Sequence, residues 1–86
     1  MYIHLGGDVL LKTDRIVAII DLEMTKLSQV NQIFLDKVHK NNKKINYISE
    51  KGREKTLVVT ETDLYFSPIS SITLLKRSFT EVGKDS

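Results

Sequence analysis

Ile16-Val17-Ala18-Ile19-Ile20 is an unbroken apolar, largely β-branched run, preceded by the polar Thr13-Asp14-Arg15 and closed by Asp21. Branching at Cβ suits the pleated backbone, so the run predicts a strand. Because it lacks a polar face, the expectation is a central strand covered on both sides, by a helix or by another subunit.

Upstream, Tyr2–Leu5 and Val9–Lys12 flank Gly6-Gly7-Asp8, where paired glycines supply the positive φ that a tight hairpin needs. Downstream the period changes. Leu27, Val30, Ile33, Phe34 and Val38 recur at three- and four-residue spacing, which predicts an amphipathic helix over 26–39 with Thr25 or Ser28 as N-cap. Lys37, His39 and Lys40 then stand at the negative end of its dipole, and Asn41-Asn42 ends it. Ile45–Ser49 reads as a weaker strand and Glu50–Glu54 as a polar turn. Thr56–Thr60 is a strong strand, and Glu61-Thr62-Asp63 turns the chain into Leu64–Ser67. Pro68 stops that strand because it has no N–H for the ladder. Ser70 or Ser71 then caps a short C-terminal helix with Ile72, Leu74, Leu75 and Phe79 as its apolar contacts. The expected fold is α+β: one small domain over 1–80 of short, mostly antiparallel strands with one main helix and a short C-terminal one, and a flexible tail over 81–86.

The 86 residues, 41% hydrophobic and 28% charged, fit one globular domain rather than a disordered or multidomain chain. A core this small favours self-association. With no cysteine, there is no disulfide framework, thiolate metal site or thiol nucleophile. No apolar run approaches the roughly 20 residues that span a bilayer, and the N-terminus lacks a leader pattern, so a cytoplasmic location without a membrane partner is expected.

The net charge is only +2. It is concentrated in 37–55, where Lys37, Lys40, Lys43, Lys44, Lys51, Arg53 and Lys55 face only Glu50 and Glu54. A run of this kind is either a solvated face or a place for phosphate contacts. Catalytic signals are poor. His4 and His39 lie far apart, no HExxH or nucleophile elbow occurs, and Gly6-Gly7 lacks the rest of a phosphate loop. Asp8, Asp14, Asp21 and Glu23 are the acidic residues that a hard metal could gather, but Asp8 and Asp14 are ordinary turn and cap residues. The expectation is no enzyme, no cofactor and no metal. Arg15 and Arg53 stand apart from the lysines, since each sits at a turn beside a core strand and presents a planar fork suited to phosphate.

Three segments, "YIHLGGDVLLKTDRIVAIID", "GREKTLVVT" and "YFSPISSITLLKR", span nearly the whole chain. Together they resemble the extracellular-matrix regulatory proteins of Firmicute bacteria (the RemA/RemB family), with the RemB branch closer. The resemblance implies a cytoplasmic regulator of biofilm-matrix genes. From the RemA branch it also implies binding of double-stranded DNA by a ring-like homo-oligomer whose arginines touch the DNA backbone. Arg15 matches the arginine ahead of the family's "I-S-I"-like strand, and Gly52-Arg53 matches the start of its "G-R-R-T-R" turn. Glu54 and Thr56 depart from that turn, standing where two further basic residues would be. The candidate DNA-binding residues are therefore Arg15, Arg53, Lys51, Lys55, Lys43 and Lys44. A protein-interaction module acting through a partner, without DNA contact, is the competing reading.

Overall fold

Thr56-Leu57-Val58-Val59-Thr60, not the Ile16–Ile20 run, holds the middle of the sheet, and all five residues are buried. The computed structural model describes residues 1–34, 36 and 42–77. Strands β1 (Tyr2–Gly6) and β2 (Val9–Lys12) form an antiparallel hairpin, and a single 3-10 turn, Thr13–Arg15, leads into β3 (Ile16–Asp21). Helix α1 (Leu27–Phe34), β4 (Lys44–Tyr47), β5 (Thr56–Thr60) and β6 (Asp63–Ser67) follow, and residues 71–77 form the short helix α2. The larger sheet runs β3-β5-β6-β4, with β5 antiparallel to both neighbours and β4 parallel to β6. This is the expected α+β class.

The placement of β3 corrects the expectation of a central strand. Its partner on one side is β5, and on the other side it is the sheet edge. The strand before it is already paired within the hairpin, which forms a separate sheet. At the register irregularity between Ile16 and Ala18, Val17 is left 58% exposed.

Period-2 alternation gives β5 and β6 two apolar faces. Val58 faces the hairpin and α2, packing with Ile3, Leu5, Leu11 and Leu74. Leu57, Val59, Leu64 and Phe66 face the other way, toward Ile33 and Phe34 of α1. Phe34 stacks on Phe66 with ring centroids 5.2 Å apart, which puts it on the packed stripe as its spacing predicts. Leu27, expected on the same stripe, opens the helix and is 74% exposed, so the stripe is not packed along its whole length. The N-cap is also displaced from the expected Thr25 or Ser28. The Gln29 side chain accepts from the Lys26 amide at 3.3 Å, one half of a capping box with Lys26 as the cap. The expected continuation of this helix through Val38 and His39, with Lys37, Lys40 and Asn41, lies outside the described residues, as do Phe79 and the tail at 81–86.

Gly6 has φ +114°, and a Cβ there would lie 3.3 Å from the side chains of Ile48 and Pro68. The hairpin turn therefore needs glycine for both its backbone and its space. Buried hydroxyls fasten the strand ends. Ser67 donates to the Leu5 carbonyl at 2.6 Å, joining β6 to the hairpin, and Thr56 donates to the Ile69 carbonyl at 2.7 Å. Ser70 accepts from the Thr73 amide at 3.2 Å and so caps α2, as one of the two expected serines.

Candidate nucleic-acid interface

Arg15 closes the 3-10 turn and is exposed at the end of the sheet where Ile16 pairs with Thr60. Its turn is held by the strands on either side of it, so the guanidinium starts from a fixed backbone. An open groove runs past it, walled by Lys12, Asp14, Val17, Thr60, Glu61 and Thr62. The same end carries Lys43 and Lys44. The Lys43 ammonium donates to the Thr60 carbonyl, and Lys44 opens β4 opposite Asp63.

Asp63 is the anion that organises this end. Its carboxylate accepts from the Thr62 hydroxyl at 2.6 Å and from the Asn46 amide at 2.8 Å. These two bonds hold its pKa below the ordinary carboxylate value against the opposing effect of burial, and the charges of Lys44 and Arg15 add to the lowering. The Tyr65 phenol shifts the other way, pushed up by burial and by the Asp63 charge, with Arg15 opposing. Arg15 thus projects its field over Asp63 and Tyr65, while no ion pair engages it among the described residues.

Arg53 occupies the opposite end, beyond Thr56, which pairs with Asp21. Four residue steps along β5 separate the two ends, ~13 Å at the usual strand rise. Lys51, Arg53 and Lys55 are all exposed here. Arg53 Nε lies 3.8 Å from Glu50 Oε2 in a pair whose side chains are 77% and 86% exposed. Gly52, at φ +93°, donates its amide to both oxygens of Glu54, at 3.1 and 3.0 Å.

The six candidate residues therefore form two groups, Arg15 with Lys43 and Lys44 at one end, and Lys51, Arg53 and Lys55 at the other. Lys43 and Lys44, which follow the Asn41-Asn42 helix end in sequence, lead into and begin β4. Asn42 before them takes φ +53°, a conformation asparagine tolerates. Lys12 was missed. The signal for it was its position at the end of the second hairpin strand, three residues before Arg15. His4 Nε2 lies 2.6 Å from the Gly7 carbonyl, a contact that closes the hairpin turn. Among the described residues no cluster of His, Asp and Glu is arranged to hold a metal ion, and no helix is long and apolar enough to cross a membrane.

An α+β chain of this size, with a hairpin laid over a four-stranded sheet and cations at both sheet ends, belongs to the RemA-like family, described as extracellular matrix regulatory protein A-like, whose pattern matches residues 2–78. Within it, the chain is similar to extracellular matrix regulatory protein B of Bacillus subtilis (strain 168). The two are 38% identical over 78 residues, covering 91% of this chain and 90% of that protein. Its family is thus one of extracellular-matrix regulators.

Proposed function

We propose that the protein is a cytoplasmic, non-catalytic transcriptional regulator of biofilm-matrix genes that binds the backbone of double-stranded DNA as a homo-oligomer and needs no cofactor. The observation that carries this reading is Arg15: an exposed guanidinium on a fixed turn, engaged by no ion pair among the described residues, beside a groove it shares with Lys12, Asp14 and Glu61 and at the same end of the sheet as Lys44. Little backbone freedom is lost when such a group meets phosphate. The charge per chain is modest, so repetition in an oligomer supplies the affinity, each engaged subunit raising the effective concentration of the next. The exposed apolar edge at β3 supports self-association, because an unpaired strand edge is a template for another chain.

The test is a titration of labelled duplex across a salt series with the full chain and with Arg15→Ala, alongside light scattering. The expected result is a log K that falls linearly with log salt and a slope reduced by about one per lost phosphate contact in each engaged subunit of the variant. The loss should be similar on any duplex sequence, since backbone contacts carry no base information. A scattering mass near 9.8 kDa at micromolar concentration would refute the oligomer.

A second reading, a module that regulates through a protein partner, is favoured by the outward side of the hairpin and α2, where Tyr2, Leu10 (63% exposed) and Ile72 stand in solvent. Binding through that surface would be nearly insensitive to salt.

A further inference from the structure

The 50–55 turn places three exposed cations, Lys51, Arg53 and Lys55, around one backbone amide, that of Gly52. The anion at that amide belongs to the protein itself. Both Glu54 carboxylate oxygens accept from Gly52 N–H, and Glu54 is half-buried while the cations on either side of it are exposed. Nothing lies within 4 Å of the place a Gly52 side chain would occupy, so the turn is open to solvent on that side. Carboxylate and phosphate oxygens are recognised by the same donors, backbone amides in turns and flanking cationic groups.

We propose that Glu54 is an internal competitor for phosphate: its carboxylate occupies the anion position at the Gly52 amide and thereby directs the DNA backbone to the Arg15 end of the subunit. The proposal rests on the DNA reading above and names the residue that decides which end is used. A phosphate approaching Arg53 or Lys55 meets a fixed negative charge, with Glu50 and Glu23 adding to it from the same turn and the same groove. Removing Glu54 both discharges the turn and frees its amide.

The experiment follows the Gly52 amide resonance of the full-length protein, its Glu54→Ala variant and its Glu54→Gln variant during titration with inorganic phosphate, and then measures affinity for a labelled duplex at two salt concentrations. Glutamine keeps an acceptor for Gly52 and removes only the charge, so it preserves the turn if alanine does not. In the parent the Gly52 resonance should stay still. In Glu54→Ala it should move with phosphate and saturate, and in Glu54→Gln it should move less. Duplex affinity should rise about threefold to tenfold in Glu54→Ala with a salt slope steeper by about one per engaged subunit. A Gly52 resonance that ignores phosphate in both variants overturns the proposal, as does one that responds to phosphate equally in the parent. If phosphate moves Gly52 in Glu54→Ala while neither parent nor variants bind duplex, the Glu54 assignment stands and the DNA reading fails.

Discussion

The two ends of the β3–β5 pair carry the same kind of residue in opposite circumstances. At the Thr60 end, no ion pair engages Arg15 among the described residues, its turn is held by two strands, and the nearby carboxylate of Asp63 is occupied by Thr62 and Asn46. At the Thr56 end, Arg53 sits beside Glu50 in a solvent-exposed turn whose amide is already taken by Glu54. An arginine's availability thus depends on where the neighbouring carboxylates spend their hydrogen bonds, and local charge counting does not reveal it.

The largest effect that would break this contrast is in DNA affinity. Arg15→Ala is expected to weaken duplex binding about tenfold or more, the size of a lost charge-assisted hydrogen bond, and Arg53→Ala to weaken it about threefold or less. Both should also exceed the effect of neutralising Lys43, whose ammonium is held on the Thr60 carbonyl. Anisotropy titrations that put Arg53 or Lys43 above Arg15 would reverse the assignment of the working end.

Stability should differ between the ends next. The Thr60 hydroxyl donates to the Asp63 carbonyl at 3.1 Å and accepts from the Asp63 amide at 2.9 Å, and the residue is buried. Thr60→Val leaves that amide without its partner and should destabilise the fold by about 1–3 kcal/mol in urea denaturation. Gly52→Ala meets no steric obstacle, only the unfavourable positive φ, and should lose roughly 1 kcal/mol. Equal losses would show that the Thr60 end is no more firmly built than the other.

A smaller, pH-dependent difference follows from Asp63. Its pKa in the folded protein lies below the ordinary value, so the ionised carboxylate adds stability above the ordinary carboxylate pKa, near 3.9, and that contribution is lost as pH falls through the folded value. Urea midpoints measured from pH 5 downward should therefore fall less steeply for Asp63→Asn than for the parent. Parallel profiles would mean that the bonds from Thr62 and Asn46 do not favour the charged form. The smallest effect belongs to Glu50→Gln, which removes an exposed ion pair and should leave the unfolding free energy within about 0.5 kcal/mol of the parent's in the same urea titration.

Much of the local structure is readable from residue types. Paired glycines mark the hairpin turn, Pro68 marks the end of β6, Ser70 marks the start of α2, and the spacing of Ile33 and Phe34 marks the packed side of α1. These signals work because turn chemistry, capping and side-chain period act within a few residues. The stripe reading failed at Leu27 because periodicity shows which side of a helix is apolar but not how far the surface beneath it extends.

Arg15 and Arg53 could be singled out from sequence as arginines at turns beside strands, and the positive excess over 37–55 could be counted. Their grouping could not. Lys43 and Lys51 are close in the chain, yet β4 carries the chain along the sheet between them, so the charge run is divided between its two ends. The same holds for β3: its composition determines that it is a strand, but its place at the edge depends on β5 pairing with β3 and β6, and on β2 being taken by β1. Strand formation is encoded in local side-chain shape and hydrophobicity. Strand neighbours, and with them the groups that share an end of the sheet, are decided by which distant segments close over one another to cover both apolar faces of Thr56–Thr60.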